Sequence, residues 1–185
     1  MSYFIEREFT AQSHVIECLF SMHRDVSERD EVTYSDCIPI AVFSAFAIEA
    51  YINGVGARVV GFWDSVERNS WQSKVDILHS IAGQSPDWGA DPLSYAKEVF
   101  KLRDKLAHGK PAVSRLGPYP TRADAGDHYH EVNKEPEWVL KLNDRWLARS
   151  KKMFVETMDY FRRLHNLSEN DHLHIARTQV VERDG

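Results

Sequence analysis

Apolar residues recur along this chain at helical intervals. Val15, Leu19, Met22 and Val26 step by four, three and four, as one face of a helix must. Trp71, Val75, Leu78 and Ala82 repeat the pattern, and so do Tyr95, Val99, Leu102 and Leu106. Leu147, Phe154, Met158, Phe161 and His165 mark a long last helix. The stretch from Ile38 to Val60 differs. Its stripe of Ala41, Ala45, Ile48, Ile52, Val55 and Val59 is flanked by Val42, Phe43, Phe46 and Tyr51, so it is apolar nearly all round. A helix of that kind belongs at the centre of a domain. Asp36 is placed to cap it, and Pro39 falls in its expected first turn, where a missing donor costs little. The alanines leave room for neighbours to approach closely.

Two stretches break the periodicity. Gly83 to Pro92, with Pro86, Gly89 and Pro92, reads as a helix-breaking loop. Lys110 to Pro136 holds four prolines, Gly117 and Gly126, and reads as one long irregular loop. Loops of that length inside a domain are usually functional or mobile. Trp138-Val-Leu-Lys-Leu opens the last helix or forms a short strand; the pattern fits both. After Leu167 the chain turns polar, and Leu173, Ile175 and Val180 either dock this tail or leave it frayed. Helices joined by loops, with no convincing set of strands, predict an all-α bundle of about five helices.

Composition narrows the picture further. A chain of 185 residues with 43 % apolar residues suits one domain with a core of its own. No stretch approaches the roughly 20 consecutive apolar residues of a membrane span. The first residues, Met-Ser-Tyr-Phe-Ile-Glu-Arg-Glu, carry acids and lack the apolar core of a signal peptide. Cys18 and Cys37 are too few for a disulfide framework and read as free thiols in a reducing cytoplasm. A net charge of −5 argues against a broad basic nucleic-acid-binding face. Locally the balance reverses: Lys97, Lys101, Arg103, Lys105 and Lys110 concentrate positive charge on one predicted helix. They make a basic cleft there, or a solvated face whose cations are drawn to the helix C-terminus by its dipole.

That helix carries the candidate chemistry. In Lys101-Leu-Arg-Asp-Lys-Leu-Ala-His-Gly109 a guanidinium and an imidazole stand near a helix end that Gly109 is expected to terminate through a left-handed backbone. The fork of Arg103 suits phosphate, and an imidazole such as that of His108 exchanges protons near neutral pH. A five-residue step turns an ideal helix by about 500°, so the two side chains point some 140° apart. They share a cleft only if the last turn unwinds or a groove crosses the helix end. His108 has a plainer reading as a dipole partner or C-cap donor. Arg103 lies at the edge of the apolar stripe and needs a carboxylate or phosphate there. Glu49, between Ile48 and Ala50 in the most apolar segment, is costly unless paired, and Arg103 is its natural partner. Asn53 follows one turn later. Glu49 and Asn53 either complete a polar pocket around Arg103, or Glu49 and Arg103 form a pair that fixes helix register.

Leu-Arg-Asp-Lys-Leu-Ala-His-Gly resembles the signature of the HEPN superfamily: an Arg, a polar residue directly after it, and a His after a gap of four to six. Arg103, Asp104 and His108 match each part. Ala45-Phe-Ala-Ile-Glu-Ala-Tyr-Ile-Asn53 is similar to the glutamate-bearing second helix of that family. Trp71-Gln-Ser-Lys-Val-Asp-Ile-Leu is similar to the following lysine-bearing helix. The three stretches stand in the family's order across roughly the middle third of the chain. The resemblance implies a HEPN helical bundle over residues 1–167, with 111–136 as a loop insertion and 168–185 as a polar tail. It implies a homodimer with two motifs facing across one groove, and metal-independent endoribonuclease chemistry of a toxin or defence type. On this chain His108 would transfer the proton, Arg103 would stabilise the charged phosphorane and Asp104 would orient the pair. Lys101, Lys105 and Lys110 are the candidate substrate-binding cations, with Glu49 and Asn53 in support. The expected partners are RNA and an antitoxin or other protein, with no cofactor, no metal and no membrane. The competing expectation is a non-catalytic interaction or nucleotide-binding module in which the Arg, His and Glu are structural.

Other constellations carry less. His128 with His130, and His172 with His174, lack metal-site spacing and read as surface-loop histidines. Tyr119 and Trp138 read as pins holding the long loop to the bundle, and no glycine-rich phosphate loop follows a strand.

Overall fold

A computed structural model describes residues 2–111, 113, 115–131, 135–173 and 176–183. Strand β1 (Ser2–Phe9) leads into helix α1 (Ala11–Ser27). There follow α2 (Tyr34–Val59), the one-turn α3 (Trp63–Val66), α4 (Trp71–Ile81) and α5 (Leu93–His108). Beyond them come α6 (Arg122–Glu131), the short α7 (Glu137–Leu140) and α8 (Asp144–Leu164). A 3₁₀ turn (Asp171–Leu173) and strand β2 (Ala176–Arg183) complete the described chain. The fold is mostly helical, as the periodicity predicts, with one small sheet added to it.

Helix α2 is the axis, with α1, α4, α5 and α8 packed around it. Ala41, Ala45, Ala47, Ile48, Ile52 and Val55 are wholly buried along it. Contrary to the expectation that no stretch approaches a membrane span, this helix is long and apolar enough for one by length and composition. In the fold much of its apolar surface is taken up by the surrounding helices. Its burial is not complete all round, because Phe46 is 46 % exposed. Its start also differs from expectation. Thr33 is the N-cap and Asp36 the third helical residue, whose carboxylate accepts from the Thr33 backbone N–H at 2.9 Å and hydroxyl at 2.9 Å. This capping box satisfies donors that the helix leaves open, and it places Pro39 in the second turn rather than the first.

The other stripes bury largely as predicted, with one rotation. In α1 the fully buried row is Ile16, Leu19, His23 and Val26, while Val15 and Met22 are only half-buried. A histidine therefore stands in the core row. In α5 the stripe fades at its end, where Leu106 is exposed. Trp138 lies in the separate one-turn helix α7, partly buried against the core. The segment after α5 is not wholly irregular, because Arg122–Glu131 is helical. Thr121 and Asp124 cap it reciprocally: the carboxylate accepts from the Thr121 N–H at 3.1 Å, and the Thr121 hydroxyl accepts from the Asp124 N–H at 3.2 Å. Tyr119 lies against the His128 ring of α6, with centroids 5.5 Å apart.

The tail brings the largest correction. Asp171 is buried and takes a bidentate grip from Arg58 near the end of α2, with Nη1 and Nη2 donating at 2.8 and 2.7 Å. The Tyr51 hydroxyl donates to the same carboxylate at 3.3 Å, and burial pushes the phenol's pKa well up. His172 is buried edge-on to the Tyr51 ring and is no surface histidine. The expected contacts of His174 and Ile175 lie outside the described residues, and Val180 is exposed. Beyond this anchor β2 pairs antiparallel with β1, Ile5 opposite Val180 and Phe4 opposite Val181, so a strand pair exists where none was predicted.

Candidate functional site

Three helices converge on Glu49. It stands on α2, and its Oε2 accepts from Arg103 Nη1 of α5 at 2.7 Å. Its Oε1 lies 3.6 Å from Lys74 Nζ of α4. Lys74 is only 3 % exposed, and a buried cation is costly unless a carboxylate stands near it. The other side of the Arg103 fork is held by Asp104, whose Oδ1 accepts from Nε at 3.1 Å and from Nη2 at 2.9 Å. The guanidinium also sits 4.9 Å from the Phe100 ring centroid. The result is a chain of alternating charge, Lys74–Glu49–Arg103–Asp104. Glu49 and Arg103 pair as the sequence suggests. Asn53 is half-buried one turn along, and its Oδ1 has no hydrogen-bond partner among the described residues.

His108 lies elsewhere on α5. It is exposed and lines an open groove of about 560 Å³ together with Trp71, Lys97, Phe100, Lys101, Asp104 and Lys105. The spacing explains the groove: residues 97, 101, 105 and 108 share one helix face. Phe100 stacks on Trp71 at its floor, with centroids 4.1 Å apart and planes 6° from parallel. Arg103 is not among the groove's lining residues, as the 140° separation requires. Asp104 joins the two arrangements, because it binds Arg103 and also lines the groove. Lys110 is exposed beyond the helix end and outside the groove lining.

Gly109 ends α5 for a reason other than handedness. Its φ of −59° and ψ of 124° are open to any residue, but a Cβ there would stand 2.4 Å from the Lys105 carbonyl oxygen. Close approach, not the left-handed region, demands glycine.

Lys101 and Lys105 also face a second pocket, of about 320 Å³, on the other flank of α5, walled by Trp138, Lys141 and Leu142. Lys105 Nζ lies 5.5 Å from the Trp138 ring centroid, a cation–π distance. Glu98 at its edge is already engaged by Trp146 Nε1 and Arg149 Nη1, each at 2.7 Å. Trp71 and Phe100 are site residues that reading the motif alone overlooks, whereas Lys74 is the lysine of the Trp71–Leu78 stretch that the sequence already singles out. Lys74 betrays itself by standing one position before Val75 of an apolar stripe. Among the described residues, no group of three or more His, Cys, Asp or Glu side chains is placed to hold a metal ion.

One chain therefore offers two half-sites on α5: a buffered arginine on one side and an imidazole at the end of a basic groove on the other. The class these features define is a helical bundle with a polar site built on its α5 face. No family model, curated protein or solved structure matches the chain.

Proposed function

We propose that this protein is a metal-independent endoribonuclease of HEPN type, acting in the cytoplasm as a homodimer in a toxin or defence role. The observation that carries the reading is the α5 groove: a lysine row at helical spacing, a stacked aromatic floor and a solvent-accessible imidazole at its end. Lysines at 97, 101 and 105 suit a phosphate backbone, and the buried Trp71–Phe100 stack gives them a rigid apolar base. In the reaction, His108 takes the proton of a ribose 2′-hydroxyl while the 2′-oxygen attacks the adjacent phosphorus. The 5′-oxygen leaves and collects a proton, giving a 2′,3′-cyclic phosphate and a free 5′-hydroxyl. Arg103 stabilises the phosphorane charge. Because Arg103 and His108 face different sides of one α5, the complete site draws on two copies, each supplying part of it. RNA is the substrate, and an antitoxin or other protein is the natural restraint on such an activity.

The engagement of Arg103 favours a second reading. Its fork is already occupied by Glu49 and Asp104, and this is what a structural arginine in a non-catalytic interaction or nucleotide-binding module would show. RNA cleavage in EDTA separates the two. Wild type should cleave and leave 2′,3′-cyclic ends, while Arg103→Ala and His108→Ala, with unchanged circular dichroism, should lose at least about 100-fold in rate. Cleavage surviving in His108→Ala would overturn the assigned mechanism. No cleavage of mixed RNA by folded wild type would select the module.

A further inference from the structure

The two-stranded ribbon exposes an unusual amount of apolar surface. Tyr3, Phe4 and Ile5 run consecutively along β1 and are 70, 50 and 76 % exposed; Val180, opposite Ile5, is 71 % exposed. The sheet contains only β1 and β2, so each strand is an edge. The extensive contacts of each strand are with the other. A lone two-stranded ribbon is marginal in water, and an open apolar edge is a template for further pairing.

We propose that a second copy of this chain docks on the free edge of β1, forming a four-stranded antiparallel sheet in the order β2–β1–β1–β2. The register follows from the sequence of the edge. A two-fold axis perpendicular to the sheet can centre the β1 pair on Ile5, and this sets Ile5 across the partner's Ile5, Tyr3 across Arg7 and Phe4 across Glu6. Each Tyr3 ring then meets a guanidinium, a favourable pairing made twice by symmetry. Val180 already stands across from Ile5 in each ribbon. The dimer therefore carries one unbroken aliphatic row, Val180–Ile5–Ile5–Val180, along one face. Cross-strand rows of this kind are the unit of sheet stabilisation. Centring on Glu6 instead sets two carboxylates against each other, and centring on Phe4 shortens the ladder.

The other edge matches itself less well. Centred on Val180, β2 also carries an aliphatic row, but it sets Gln179 across Val181 and Thr178 across Glu182, so the aromatic–guanidinium pairs that β1 makes twice have no counterpart. Self-complementarity along β1, rather than apolarity alone, identifies a second copy as the occupant. This dimer is independent of the ribonuclease reading and of any association through α5.

The test uses the full chain. Sedimentation from low to high micromolar concentration should show a self-association step, from monomer or from a pair already joined through α5, that Ile5→Lys weakens at least tenfold in Kd while the helical circular dichroism stays unchanged. A second measurement fixes the register. In a Cys18→Ser background, mild oxidation should cross-link Ile5→Cys across the two-fold axis and leave Phe4→Cys uncross-linked, because directly opposed antiparallel residues come within disulfide reach. A wild-type monomer throughout, a dimer indifferent to Ile5→Lys, or equal cross-linking at both positions would overturn the proposal. So would a monomer that instead floats with phosphatidylcholine vesicles, which would give the apolar strand to a lipid surface.

Discussion

Glu49→Gln isolates the charge at the centre of the α2–α4–α5 junction. Glutamine keeps the volume and an acceptor for Arg103 and removes only the negative charge. The Arg103–Glu49 bond is 2.7 Å long between side chains 23 and 31 % exposed, so solvent screens it only in part. A hydrogen bond between charged groups contributes about 1.5–3 kcal/mol and is roughly twice as strong as a neutral one, so removing the charge costs about 1 kcal/mol. Lys74 adds to this. It is nearly buried, and Glu49 is the carboxylate recorded beside it, 3.6 Å away. Losing that counter-charge costs about another 1 kcal/mol, since an isolated buried ammonium is strongly disfavoured. The expected loss of about 2 kcal/mol lowers Tm by about 4–8 °C for a domain of this size. Urea unfolding followed by far-UV circular dichroism reads it as a lower midpoint at constant slope. Adding Lys74→Met to Glu49→Gln should recover part of the loss, because the stranded cation is gone. A Glu49→Gln stability within about 0.5 kcal/mol of wild type, or a double variant that only adds losses, would refute the charge-chain account.

Three further outcomes follow from the packing. Burial, with Lys151 adding to it, holds the His23 imidazole down to about 4 against an ordinary 6.5. Between those values the unfolded chain binds the extra proton, so stability is full above pH 6.5 and falls by up to about 3 kcal/mol on acidification to pH 4. His23→Leu should flatten much of that fall in Tm measured between pH 7 and pH 4.5. A gentler slope in the same direction remains from His165, whose pKa is lowered by burial and by His79; an unchanged profile would refute the assignment. Asp171→Asn should cost about 2–3 kcal/mol by leaving Arg58 without its counter-ion. Hydrogen exchange should then quicken in β2 before the middle of α2, and uniform quickening would contradict the role of Asp171 as a local anchor. Gly56→Ala would set a Cβ 2.2 Å from the buried Trp63 ring and should destabilise by about 2 kcal/mol in thermal melts; a neutral result would mean that α3 yields.

The helices were legible because their signal is local. A 3.6-residue period is written into each segment, and the spacing of Trp71, Val75 and Leu78 or of Tyr95, Val99 and Leu102 carries it without reference to any partner. The same arithmetic separated Arg103 from His108 by turn angle, and a carboxylate stranded among Ile48 and Ala50 called for a cation. What a residue meets across the core is not local. His23 reads as a polar interruption until α1 rotates by one residue and buries it. Asp171 reads as part of a polar tail until Arg58, far away in sequence, closes on it. The strands were illegible for the same reason. A strand is defined by the hydrogen bonds of its partner, and β1 and β2 are separated in sequence by the whole helical bundle. Sequence by itself determined the helical segments and the charges that had to be paired. Tertiary structure decided which polar groups were buried, which ends met, and which face of α5 each candidate residue would serve, because burial and pairing depend on neighbours that no local pattern contains.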